Sequence, residues 1–228
     1  MATLKDQAVC LSRRNYSETS QIITLFGREH GKIRALAKGS RRAKTKFSGG
    51  VDLLTAGEIM FTAPHSESNL GLLTEFELTD AFSHLRSNLT AQYAALAGAE
   101  QLAALTEDLD PHPELYQAFY DFLRQLKLPD KALATLVQFE LRLLTEVGLG
   151  PMWRQCCLCG GDPTLGRQIY FSSREGGVVC RDCEGSLVEK HLISRPLQQF
   201  FARQELSSAP LPLLFQAHDL LTYHIREI

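Results

Sequence analysis

A chain of 228 residues, 44% hydrophobic and 22% charged, can bury a substantial core and is not disordered in bulk. No run approaches the ~18 apolar residues of a membrane span, and residues 1–13 lack a signal peptide's apolar stretch, so a cytoplasmic protein without membrane contact is expected. The net charge of −2 hides a polarity: residues 28–46 hold eight Lys or Arg and one acid, against 16 basic and 25 acidic groups in the remainder. A local +7 on a body of −9 points to an anionic partner, with a solvated basic loop as the plain alternative.

Taken in order, residues 1–80 read as an all-β module. Short runs with alternating or β-branched character fall near 7–13, 21–26, 32–38, 57–62 and 70–79. Turn signals such as Glu29-His30-Gly31 separate them. Five short strands in this length suggest an OB-fold barrel, with a small sandwich as the rival. Cys10, between Val9 and Leu11, reads as a buried strand residue. Residues 39–50 form a basic loop between the third and fourth strands.

Residues 81–150 read as a helical domain. Leu85, Leu89, Tyr93 and Leu96 recur at helical steps and predict one buried stripe. Asp110 before Pro111 predicts an N-cap and first turn, followed by a buried face of Leu115, Phe119, Phe122 and Leu126. A third helix after Pro129 would bury Leu133, Leu136, Val137, Leu143, Leu144 and Val147 and stop at Gly148. Residues 191–228 predict terminal helices over 195–203 and 213–225 that pack on the central ones. The fold class is thus α+β multidomain: a five-stranded OB barrel, a central and C-terminal helical bundle, and an inserted four-cysteine finger at 151–190.

Five of the six cysteines fall within that finger. Cys156 and Cys159 form one Cys-x-x-Cys pair and Cys180 and Cys183 another, 20 residues apart. A two-residue gap lets one turn present both sulfurs to a tetrahedral metal, and two such gaps supply four ligands for one structural zinc. Between them, Ile169-Tyr170-Phe171 and Val178-Val179 read as a hairpin turning at Gly176-Gly177. A redox dithiol needs one pair only, and the spacing is not a usual iron–sulfur signature. Cys157 leaves an alternative open, since it could replace Cys156. Four thiolates leave no open position for a zinc hydrolase.

In the basic segment, strand alternation places Ile33, Ala35 and Ala37 on one face and Lys32, Arg34, Leu36 and Lys38 on the other. Arg41, Arg42, Lys44 and Lys46 would extend the positive face into the loop. Lys32, Arg34, Lys38, Arg41, Arg42, Lys44 and Lys46 are therefore candidate phosphate contacts, and Tyr16, Phe26, Phe47 and Phe61 candidate stacking residues.

Several segments in order carry a family resemblance: Arg14-Asn15-Tyr16-Ser17-Glu18, Ile22-Ile23-Thr24-Leu25-Phe26, His30-Gly31-Lys32 and Ala37-Lys38-Gly39-Ser40-Arg41-Arg42-Ala43-Lys44. Leu143 to Pro151, Cys156 to Gly160 and Gly176 to Cys183 continue it. The chain resembles the bacterial RecO family of recombination mediators. The resemblance implies an OB-fold, a helical domain and a zinc finger, binding to single- and double-stranded DNA, and annealing of complementary strands at the nucleoid. It implies work with RecR and single-stranded DNA-binding protein in loading RecA, and no catalysis of covalent chemistry. A zinc-ribbon transcription or translation factor, or a module whose basic patch meets an acidic protein, are the alternatives.

Overall fold

The computed structural model describes residues 3–41, 47–48, 51–64, 70–203 and 209–228. Arg42, Lys44 and Lys46 lie outside the described residues. The chain divides into two compact units, Met1–Ala132 and Leu133–Ile228.

The first unit holds strands β1 (Thr3–Asn15), β2 (Gln21–Gly27), β3 (Gly31–Ala37), β4 (Phe47–Ser48), β5 (Ala56–Thr62) and β6 (Gly71–Asp80). β1 lies antiparallel between β2 and β5, β2 pairs with β3, and β5 with β6. β3 then meets β6 in parallel, Ala35–Ala37 against Gly71–Leu73, so the row of five long strands returns to its start. The sequence had offered five strands; the short β4, beside Phe76 on β6, is a sixth. Alternation sends Ala8, Cys10, Ile23, Leu25, Ile33, Ala35, Ile59, Phe61 and Phe76 into one core. Cys10 is buried there as expected.

Two helices cover part of this sheet: α1 (Leu89–Leu105) contacts β1, and α2 (Pro113–Gln125) contacts β2. The Asn88 side chain caps α1 by accepting from the Ala91 N–H at 2.9 Å. Its buried face corrects the expected stripe. Leu89 and Tyr93 are both 68% exposed, whereas Ala91, Ala94, Ala95, Gly98, Ala99 and Leu102 are buried. Both stripes have helical period; the small one is buried because a helix packs closely on a sheet where its side chains are short. α2 starts two residues later than predicted, with Pro113 in its first turn. Asp110 is otherwise engaged: a Cβ on Gly31, at φ +64°, would lie 1.8 Å from its carbonyl oxygen. Leu115, Phe119, Phe122 and Leu126 are buried as read from the sequence.

The second unit contains α3 (Ala132–Glu146), a sheet of β7 (Ile169–Ser172), β8 (Gly177–Cys180) and β9 (His191–Ile193), then α4 (Arg195–Arg203) and α5 (Leu211–Glu227). α3 gives way to Gly148 at φ +75°, the predicted stop. The hairpin of β7 and β8 matches the expectation, with Gly176 in the turn and Gly177 already paired; β9 adds an edge. Trp153 stacks on Phe171 and Phe201, with ring centroids 5.1 and 4.0 Å away. His224 is buried, accepting from the Ser173 hydroxyl at Nδ1 (2.7 Å) and donating from Nε2 to the Leu149 carbonyl (3.0 Å). On α5, His218 meets the buried Glu140 of α3 at 2.9 Å. Among the described residues, no helix is long and apolar enough to cross a membrane.

Two stability predictions follow from these contacts. The buried Asp6 carboxylate accepts from the backbone N–H of Gln7 (2.7 Å), Glu29 (3.0 Å) and His30 (3.0 Å), fastening the β2–β3 turn to β1. Asp6→Ala leaves these donors without their acceptor and should cost about 3 kcal/mol in urea unfolding. The hydrogen bond to Glu140 raises the pKa of His218. A histidine whose folded pKa is raised contributes stability fully present below its unfolded pKa of about 6.5 and lost as pH rises through the folded value. His218→Gln should therefore lower Tm more at pH 6 than at pH 8.5, measured by circular dichroism.

Candidate metal centre and nucleic-acid interface

The second unit gathers four sulfurs. Those of Cys156, Cys159, Cys180 and Cys183 all lie within 4.8 Å of one another, and Cys159 and Cys180 are 3.8 Å apart. A tetrahedron with Zn–S of ~2.3 Å has edges of about 3.8 Å, so the set could hold a metal ion. Two backbone knuckles position it. In the first, Cys156 N–H donates to Gly161 O and Gly160 N–H to Cys156 O, each 2.8 Å, with Gly160 at φ +71°. In the second, Cys183 N–H donates to Cys180 O at 3.2 Å. The β7–β8 hairpin delivers the second knuckle to the first, and the Cys180 N–H points at the Cys156 sulfur at 3.4 Å.

Cys156, and not Cys157, belongs to the four-sulfur group. Cys157 donates its N–H to Val178 O on β8 and packs against the small cluster of Cys156, Tyr170 and Val179 without joining the four-sulfur group. Burial opposes ionisation of Cys156, but N–H groups of Cys159, Cys180 and Leu158 outweigh it and bring its thiol to about 6. Burial, then the neighbouring Cys156, pushes Cys157 up to about 11. Contacts with the Cys180 and Cys159 thiols push Cys183 up to about 12, so position in the four-sulfur group, and not ease of ionisation, separates Cys156 from Cys157. Elemental analysis should accordingly find the metal content of Cys156→Ser strongly reduced and that of Cys157→Ser unchanged.

In the first unit, the basic residues do not act as one set. Lys32 and Arg34 share the outer face of β3, as alternation predicted. The Lys32 ammonium, however, donates to the carbonyls of Ala103 (2.8 Å) and Thr106 at the end of α1, with Asp108 at 3.6 Å. Lys32 is a fastener between sheet and helix, not a free cation. Arg34, Lys38 and Arg41 are exposed. Arg41 is placed by the turn after β3: its N–H donates to Thr19 O, the Ser40 hydroxyl donates to Gln21, and Gly39 sits at φ +74°. The turn thereby lies against residues 17–20 and near Tyr16, which is 65% exposed. Of the four aromatic candidates, Phe26, Phe47 and Phe61 are buried, which removes them as stacking surfaces.

Sequence reasoning missed Arg14 as part of this face. Alternation from Ala8 and Cys10, both in the core, would send Ser12 and Arg14 inward. A register shift between Cys10 and Ser12 reverses the phase, pairing Ser12 with Thr24 and Arg14 with Ile22. Rows then run Ser12–Thr24–Arg34 and Arg14–Ile22–Leu36, with Leu72 beyond Leu36. The signal available was an arginine in phase with core residues, which implies a break. The result is an outer face with exposed Arg14 and Arg34, part-exposed Ile22, Thr24 and Leu36, and exposed Leu72, with Lys38, Arg41 and Tyr16 at one end. Facing outward from β1, β2 and β3, these groups can neutralise phosphates over a partly apolar floor.

Comparison with known proteins bears on both sites. Residues 1–82 match the family model for the Recombination protein O N terminal region, and residues 86–227 that for the C terminal region. Among curated relatives, a DNA repair protein RecO of Rhodopirellula baltica is 35% identical across 89% of this chain and 74% of its own length. That of Myxococcus xanthus is 32% identical across 99% and 92%, and that of Desulfitobacterium hafniense 34% across 81% and 66%.

Proposed function

Because the chain belongs to the Recombination protein O family of DNA repair proteins, we propose that it anneals complementary strands on the uncovered outer face of β1, β2 and β3. A role in DNA repair and recombination comes with the family. The observation that carries the finer reading is the outward row of Arg14 and Arg34, continued by Lys38 and Arg41, over half-exposed Ile22 and Leu36. Lys38 lies four positions beyond Arg34, a rise of roughly 13 Å along an extended chain. That separation suits phosphates of one extended strand, and the exposed Tyr16 suits stacking of one base. Arg42, Lys44 and Lys46 would lengthen the rail, while Lys32 leaves the contact set.

Two complementary strands repel through their phosphates. A surface that neutralises several charges lowers that repulsion without reading sequence, and lets bases find register. Duplex DNA is bound by the same charges. On this reading the module at 1–80 holds DNA as a five-stranded OB barrel, the strand return through β3 and β6 being what supports closure. The finger is read at 151–190; α1 and α2 stay with the first unit, and residues 133–150 and 191–228 with the second. Cys156, Cys159, Cys180 and Cys183 would hold one zinc, which supplies a cross-link between the two knuckles and no chemistry on DNA. Partners in this reading are RecR, single-stranded DNA-binding protein and, at the loading step, RecA, in the bacterial cytoplasm at the nucleoid. The protein is read as a mediator and not an enzyme. The close Ser173–His224 pair is buried, and its Nε2 donates to a carbonyl, so it supports packing and not nucleophile activation.

The test is annealing of complementary oligonucleotides. Wild-type protein should accelerate it, and Arg34, Lys38 and Arg41 changed together to Glu should reduce the rate at least tenfold while leaving Tm within a few degrees. Binding should weaken linearly in log–log salt titration. Normal annealing by the triple variant would refute the assignment.

A further inference from the structure

The loop between α1 and α2 brings an acid to the edge of the basic face, and its placement is built, not incidental. The Leu109 N–H donates to Lys32 O at 2.8 Å, and Asp108 forms a parallel bridge with Lys32. Leu109 holds a left-handed φ of 60°, an unfavourable conformation for leucine that its surroundings must hold in place. Gly31 admits Asp110 at a distance no side chain would allow. The loop is thus stitched to the part of β3 that β6 does not reach, since β6 pairs only with Ala35–Ala37. The Asp108 carboxylate then lies with Oδ1 3.6 Å from Lys32 and Oδ2 3.9 Å from Arg34. Its neighbour Glu107 lines the same cleft of about 710 Å³, with Ser12, Thr24 and Arg34.

The two cations depend on Asp108 differently. Lys32 already has two carbonyl acceptors, so losing Asp108 does not strand it. Arg34 is about half exposed, at 47%, and so open to an incoming phosphate. The geometry points to Asp108 as an intramolecular competitor for Arg34: it orients the guanidinium in the free protein and occupies the charge that a phosphate would otherwise take. Asp108 is a positioning residue acting through Arg34, and it sets where the phosphate-binding rail ends. This inference rests on the DNA-binding reading above.

A half-exposed ion pair is weak, so the effect is modest in size. Asp108→Asn, which keeps the backbone bridge and the shape, should bind a labelled oligo-dT about two- to five-fold more tightly at low salt. Its salt slope should steepen by about 0.7 as one more phosphate is neutralised on a single strand. Glu107→Gln removes the same charge from the same cleft without touching Arg34 and should gain less. In an Arg34→Gln background, Asp108→Asn should gain nothing, and Asp108→Glu should stay close to wild type. Equal gains from Asp108→Asn and Glu107→Gln, or a gain that survives loss of Arg34, would overturn the competition and leave only bulk charge. So would wild-type binding that Asp108→Asn leaves unimproved. Wild-type protein that binds no oligonucleotide would instead overturn the DNA-binding reading, and the competition with it.

Discussion

Between Cys10 and Ser12, β1 carries one residue more than β2 opposite it, and this insertion decides what the sheet shows to solvent. Before it, Ala8 and Cys10 point into the core, while Val9 points outward beneath the helices. After it, Ser12 and Arg14 point outward where an unbroken strand would have turned them in. The same shift puts Arg13 opposite the core residue Ile23, but at this end of the strand Arg13 stays exposed and is paired with Asp52 at 2.5 Å. One extra residue thus lets a single long strand serve the core along one stretch and a charged surface along the next.

The helices complete the division. α1 presents alanine and glycine to the sheet, and the shortness of those side chains lets it seat closely over one end of the outer face. Lys32 stands at the border. Its aliphatic stem lies along the sheet and its ammonium reaches the last carbonyls of α1, where a cation also suits the helix dipole. Arg34, two residues on and on the same face, falls outside the covered zone. Their alternation is identical, yet one is mortar and the other surface. The difference comes from helix-end carbonyls 71 and 74 positions away in sequence.

This explains what was legible beforehand. The five strands, the hairpin of the finger and the buried face of α2 rest on local period and turn chemistry, which the sequence carries openly. Cys156 with Cys159, and Cys180 with Cys183, are equally local, since each pair needs one turn. The stripe at Leu89 and Tyr93 and the stripe of alanine and glycine share one helical period, and only the partner surface selects between them. The phase of Arg14 depends on a bulge, and the commitment of Lys32 depends on a loop fixed by Gly31 and Leu109. Of these, only the break before Arg14 leaves a periodic trace, an arginine in phase with core residues.

Charge follows the same architecture. On the outer side of β5 and β6, rows run Lys5–Met60–Glu75 and Gln7–Glu58–Glu77, so acids face outward where β1, β2 and β3 show arginine. The sheet therefore has a basic side and an acidic side. A polyanion is drawn to one side and repelled from the other, which orients it before any contact forms. Asp108 repeats this arrangement at short range, at the border of the positive side. On the annealing reading DNA must be held but also released, and a basic face bounded by carboxylates meets both demands better than a uniformly positive one.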